Sequence, residues 1–167
     1  VVSVGGGAVG GPLIRCALAA RPLTRLRDAP WRFMTGPNLP EPDRRALSAS
    51  DGVSIEQFSS DFRGLLSRAA VSISQAGYNT VMDVLIPRTP AVLVPFSQEG
   101  EIEQTIRAEL LTHQSGFKFV PEPELTAKRL ALAVDEVVFD TAPTTSIHTM
   151  NMDGAAETAK IMLHLAS

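Results

Sequence analysis

The chain has a single cysteine, Cys16, among 167 residues, so it has no internal disulfide framework and no thiol pair for a metal site. Cys16 falls in a mostly apolar helical stretch, where a buried structural thiol is expected rather than a nucleophile. Histidine is scarce as well: His113, His148 and His164 show no metal-ligand spacing with one another or with Cys16. An excess of positive charge is also missing. Lys and Arg number 15 against 18 Asp and Glu, a net charge of −3. The basic residues are scattered, and the small groups at Arg21, Arg25 and Arg27 and at Arg44 and Arg45 read as solvated faces. This excludes a nucleic-acid surface built on phosphate attraction. No run of about 18 apolar residues occurs, so no transmembrane segment is expected. No signal-peptide pattern opens the chain.

What is present suits one α/β domain, with 44% hydrophobic residues for a core. Short apolar runs predict strands at 1–4, 31–35, 53–58, 70–74, 91–96 and 117–120. Helical spacing predicts helices at 12–20, 42–48, 61–67, 79–85, 101–113, 126–138 and 155–165. Pro12 fits a first helical turn and Thr126 an N-cap, while Pro87 and Pro90 close the helix before them. Strand–helix alternation with helices of this length implies a doubly wound, parallel six-stranded sheet with helices on both faces. Val1-Val2-Ser3-Val4 reads as a core strand already under way, so the expectation is a single Rossmann-like domain, 1–167, cut from a longer two-domain protein.

Open parallel sheets bind ligands beyond the carboxyl ends of their strands, at a topological switch point. Three loops in such places carry signals. Gly5-x-Gly7-x-x-Gly10 follows a strand and precedes a helix, as the dinucleotide fingerprint does, and its glycines permit close backbone approach to a phosphate. The acidic residue that the fingerprint wants at the end of the second strand is absent from Met34-Thr35-Gly36-Pro37, which weakens a nicotinamide or flavin reading. A tight strand-to-helix turn without a ligand needs the same glycines.

In Gln75-Ala76-Gly77-Tyr78-Asn79-Thr80-Val81-Met82-Asp83, Gly77 is expected to turn the chain sharply into a helix. The free N–H groups of that helix, with Asn79 and Thr80, would make an anion pocket. Asp83, four residues past Asn79, is placed to accept from two ribose hydroxyls. The plainer alternative makes Asn79 or Thr80 an N-cap and Asp83 a solvated helix residue. The third loop, Pro95 to Gln104, sets Glu103 and Gln104 at a helix start, able to bond sugar hydroxyls. Acidic residues in a first turn also stabilise a helix without any ligand.

With these residues in view, the chain resembles the GT-B glycosyltransferases. The 75–83 segment looks like the His-Cys-Gly-Trp-Asn-Ser-x-x-Glu core of the UDP-glycosyltransferase signature. It also resembles the Arg-Ser-Gly-Ala-x-Thr-x-x-Glu segment of the peptidoglycan N-acetylglucosaminyltransferase (MurG) family. The run from Pro90 to Phe96, with Glu103-Gln104, continues the match, Gly6-Gly7-Ala8-Val9-Gly10-Gly11 is similar to the MurG glycine loop, and Glu56-Gln57-Phe58 fits its nucleobase-side strand end. The resemblance implies a UDP-sugar donor, with the base near Phe58 and Ser59 and the ribose on Asp83. It implies the diphosphate at Gly77, Asn79 and Thr80 with Gly6, Gly7 and Gly10, and the sugar at Glu103 and Gln104.

It further implies an acceptor site and a catalytic base on the missing N-terminal domain, no catalytic residue, metal or cofactor in this one, and a cytoplasmic protein whose membrane contact, if any, is made by the missing half. Three positions depart from the pattern. Gln75 stands where relatives carry His or Arg on the diphosphate, Asp83 is a methylene shorter than Glu, and Ala76 lacks a hydroxyl. Other readings are a non-catalytic nucleotide-sugar-binding module, or an epimerase or hydrolase, which would need an acid–base pair in the crevice.

Overall fold

In the computed structural model, which describes residues 1–7, 9–47, 51–96, 102–113 and 115–140, the apolar runs form one all-parallel sheet. Its strands are β1 (Val2–Ser3), β2 (Trp31–Met34), β3 (Val53–Glu56), β4 (Ser72–Ser74), β5 (Ala91–Leu93) and β6 (Phe117–Phe119). They lie in the order β3-β2-β1-β4-β5-β6. The chain steps outward from β1 to β3, then returns across the sheet to β4, so β1 and β4 flank the switch point. The fold class expected from the alternation is the one found.

Among the described residues, six α-helices connect or follow the strands: α1 (Gly11–Ala20), α2 (Glu41–Ala46), α3 (Phe62–Ser67), α4 (Tyr78–Leu85), α5 (Glu103–Thr112) and α6 (Ala127–Asp135). Alternate residues of the central strands feed two separate cores. Val92 of β5 joins Val2, Phe33 and Ile73 against α1 and α6, through residues such as Leu13, Ile14, Leu130 and Val134. Its neighbours Ala91 and Leu93 turn to the other face, where Leu66 of α3, Val81 and Val84 of α4, and Ala108 and Leu111 of α5 meet them. A strand buried on both faces has no polar side to show, which is why 91–94 reads as an unbroken apolar run.

Local chemistry sets most boundaries. Pro12 occupies the first turn of α1. The Asp61 side chain caps α3 by accepting from the Gly64 N–H at 2.9 Å, and Thr126 Oγ1 caps α6 by accepting from the Arg129 N–H at 3.2 Å. Strand β5 is shorter than the expected 91–96, since Pro95 has no N–H for a ladder. Helix α6 stops at Asp135 and widens into a π-helical turn, Glu136–Asp140, instead of running evenly to 138. The predicted helix 155–165, the Thr-rich loop before it and residues 97–101 lie outside the described residues.

Candidate functional site

Strand register builds the rim of the site. Ser3 pairs with Met34 and Ser74, Met34 with Glu56, Ser74 with Leu93, and Leu93 with Phe119, so all six strands end on one row. Every loop named from the sequence therefore opens on the same edge of the sheet. The loops after β1 and β4 stand side by side at the switch point.

The glycines of the first loop divide into two kinds. A Cβ on Gly10 would run into the Val4 side chain, so this glycine lets α1 settle on β1. Gly10 is itself buried. Gly5 has φ +66° and sits against Gly36, also at φ +66°, where a Cβ would meet the Gly5 carbonyl oxygen. Asn38 Nδ2 donates to the Gly6 carbonyl at 2.6 Å, tying this loop to the one after β2. Gly6 and Gly7 are different. A Cβ on Gly6 would have no heavy atom within 4 Å, and one on Gly7 only Val9 Cγ2 at 3.8 Å. Both are exposed on the rim and leave it open.

The β4–α4 turn corrects one expectation. Gly77 has φ −61° and ψ 147°, ordinary extended backbone, so the turn does not need glycine for its conformation. A Cβ there would find only Thr80 Oγ1, at 4.0 Å. What Gly77 supplies is clearance. It is also the N-cap of α4, with no side-chain cap bond, so neither Asn79 nor Thr80 is the cap that the plainer reading required. The first intrahelical bond runs from the Val81 N–H to the Gly77 carbonyl at 3.0 Å. The N–H groups of Tyr78, Asn79 and Thr80 therefore face outward at the positive end of the helix. Gln75 is half-buried just below.

Asp83 does not simply face the crevice. Its Oδ1 accepts from Arg63 Nε of α3 at 2.6 Å, which places the carboxylate, 25% exposed, between α3 and α4. Phe58 is 77% exposed beyond the end of β3, beside half-buried Ser59. Gln104 Oε1 accepts from the Phe96 N–H at 3.2 Å, so this side chain ties the end of β5 to α5. Glu103 opens α5 and forms an ion pair with Arg107 one turn on. Arg107 in turn donates from Nη1 to the Ala76 carbonyl at 2.8 Å.

Arg63 and Arg107 lie outside the motifs that the sequence singles out. The Glu103–Arg107 pair has i, i+4 helical spacing and was open to inference; the Arg63–Asp83 pair, between two helices, left no local mark. Arg44, grouped with the solvated basic residues, instead donates to the carbonyls of Pro37 and Leu39 at 3.3 Å and holds the loop after β2. Cys16 is half-buried, and desolvation raises its thiol above the usual value, as a structural cysteine requires. Among the described residues, no group of three or more His, Cys, Asp or Glu is arranged to hold a metal ion. No helix among them is long and apolar enough to cross a membrane. A cavity of about 350 Å³ lies away from the rim, at the amino ends of the strands, against Trp31, Leu65 and Val71.

A parallel sheet in this order, with uncapped α1 and α4 starting side by side at its switch point, defines a Rossmann-like domain, and its fold is that of the GT-B glycosyltransferases. The chain belongs to the glycosyltransferase family 28 C-terminal domain, whose family model matches residues 1–162. Among similar proteins is the UDP-N-acetylglucosamine--N-acetylmuramyl-(pentapeptide) pyrophosphoryl-undecaprenol N-acetylglucosamine transferase of Rhodospirillum centenum. It is 31% identical over 86 residues, which cover 52% of this chain and 23% of that protein. The enzyme of the same name from Lactiplantibacillus plantarum is 29% identical over 140 residues, 81% of this chain and 39% of that one. The chain thus spans about a quarter to two-fifths of the length of these relatives.

Solved structures agree on the fold. Acinetobacter baumannii MurG superposes with a TM-score of 0.60 at 21% identity, over 78% of this chain and 39% of that one. The calicheamicin glycosyltransferase CalG4 superposes with a TM-score of 0.64 at 20% identity, over 83% and 33%.

Proposed function

We propose that this domain binds the UDP-sugar donor of a glycosyltransferase whose acceptor and catalytic base lie on another part of the protein. The observation that carries the reading is the rim at the switch point. Two helices begin there without side-chain caps, α1 behind open Gly6 and Gly7 and α4 behind open Gly77. Outward N–H groups with clearance above them suit a diphosphate, which needs donors and close backbone approach.

The remaining residues fit around that centre. The base would lie on exposed Phe58 beside Ser59. Ribose hydroxyls would donate to Asp83, held in place by Arg63. The sugar would meet Glu103 and the amide of Gln104 at the start of α5. Glycosyl transfer breaks the bond between the sugar's anomeric carbon and a phosphate oxygen, and the UDP that leaves carries the bonding electrons. Preorganised N–H groups at α4 stabilise that growing charge and so lower the barrier to departure. The sugar transferred is a hexose or N-acetylhexosamine. The curated relatives carry N-acetylglucosamine in their names, which supports the latter. The reading keeps this domain in the cytoplasm and assigns any membrane contact to the other half.

Titration of UDP into the chain, followed by calorimetry and amide NMR with NAD as the control, tests the reading. Shifts at Phe58, Ser59, Gly77, Asn79, Thr80 and Asp83 are expected with UDP. Binding of NAD through Gly5–Gly10, with UDP silent, would reject it.

A further inference from the structure

Resting on that donor reading, we infer that Arg107 of α5 supplies the positive charge that the donor's diphosphate meets at the β4–α4 turn. The turn itself, from Ser74 to Thr80, contains no cationic side chain, and neither does the glycine loop from Val4 to Gly11. A diphosphate brought there would meet backbone dipoles alone unless a charge reached it from another element. Arg107 reaches it. Nη1 donates to the Ala76 carbonyl at 2.8 Å, the residue before Gly77. Nη2 pairs with Glu103, and the guanidinium carbon lies 5.6 Å from the ring centroid of Tyr78, the first residue of α4. The Arg107 side chain is only 20% exposed, so its planar fork is held in one place by three contacts.

The electrostatics of this placement argue for a ligand. The start of α4 is the positive end of a helix, where a carboxylate or a neutral cap is favoured and a cation is not. Arg107 is set beside that positive end, and Gly77 brings no capping side chain. Such an arrangement gains most when an anion lies between the guanidinium and the N–H groups. Glu103 is the exchangeable partner: its side chain is 75% exposed against 20% for Arg107. Its carboxylate can turn to the sugar hydroxyls and leave Nη2 of Arg107 to a phosphate oxygen. The ion pair thus couples the sugar end of the donor to its diphosphate end.

The test compares UDP with uridine in binding to the chain and its variants, because uridine keeps the base and ribose and lacks the phosphates. Arg107→Gln is expected to weaken UDP by at least about tenfold and leave uridine unchanged, since a charge-assisted contact is lost at the phosphates alone. Arg107→Lys keeps the charge without the fork and is expected to fall between. Gln75→Arg in the Arg107→Gln background returns a cation to the turn and is expected to recover UDP affinity. Wild-type UDP affinity should also fall more steeply with salt than that of Arg107→Gln. Equal UDP binding by wild type and Arg107→Gln would overturn the inference alone. So would an equal loss of UDP and uridine, which would mark Arg107 as a structural support of the turn. A wild-type chain that binds neither ligand would overturn the donor reading, and the inference with it.

Discussion

At the scale of single residues, the same residue type serves opposite purposes on one rim of the sheet. Gly10 is needed by the protein, because Val4 fills the space a Cβ would take. Gly77 is needed by nothing within the described residues, neither for backbone angle nor for packing. Alanine should separate the two roles. Gly10→Ala is expected to cost about 1–3 kcal/mol by overpacking against β1. Gly77→Ala is expected to change stability by less than about 1 kcal/mol, since its backbone already suits an L-residue while alanine is the poorer N-cap, and to weaken UDP by crowding the diphosphate. Urea unfolding together with UDP titration of both variants checks this. A Gly77→Ala chain with unchanged UDP affinity would move the diphosphate away from the turn. The motif spacing made both glycines visible as site residues, yet it could not assign these purposes. Which atoms lie over a glycine is decided by the chain folded around it. Asp83 shows the same limit: its partner Arg63 belongs to a different helix, and no periodicity links them.

At the scale of elements, what was legible followed from local chemistry. Thr126 as the cap of α6, Pro12 in the first turn of α1 and the apolar run of β5 are each decided by neighbours in sequence. Helix α5 was expected from 101 but begins at Glu103, with Gln104 turned back to the Phe96 N–H. That bond depends on where β5 ends, so no pattern inside the helix announces it. The end of α4 carries a strained residue. The Arg88 N–H bonds to Leu85 O and the Thr89 N–H to Val84 O, both at 3.1 Å, closing the helix as a Schellman turn. Arg88 occupies the left-handed position at φ 59°, which glycine adopts without a clash between Cβ and the backbone. Pro87 and Pro90, which mark the end of the helix in the sequence, lie on either side of this turn. Arg88→Gly is expected to stabilise the domain by about 1 kcal/mol, seen as a higher urea midpoint with an unchanged slope. A lower midpoint would mean that the Arg88 side chain contributes more than its backbone costs.

At the scale of the whole molecule, strand–helix alternation made the parallel, doubly wound class legible, and the strand order was not. The return from β3 to β4 across the sheet creates the switch point, and it is set by which edge of β1 remains open once β2 and β3 have paired. This return also divides the proposed donor site. The glycine loop and Phe58 belong to the half of the sheet formed by β1, β2 and β3, while Gly77, Asp83 and Arg107 belong to the half formed by β4, β5 and β6. A ligand lying across both halves binds only when the two are in register, so it binds the native fold and not the unfolded chain. Linkage then gives the size of the effect: UDP at about a hundred times its dissociation constant should raise the unfolding free energy by about 2.7 kcal/mol. Uridine at the same multiple of its own constant should raise it equally, because linkage counts occupancy and not contacts. The Arg107→Gln chain should therefore need more UDP to reach the same stability, with no change in the stability gained at equal occupancy. Urea unfolding at matched occupancy measures both quantities. A smaller gain for UDP than linkage allows would show that the unfolded chain also binds it, and that the rim does not depend on joining the two halves.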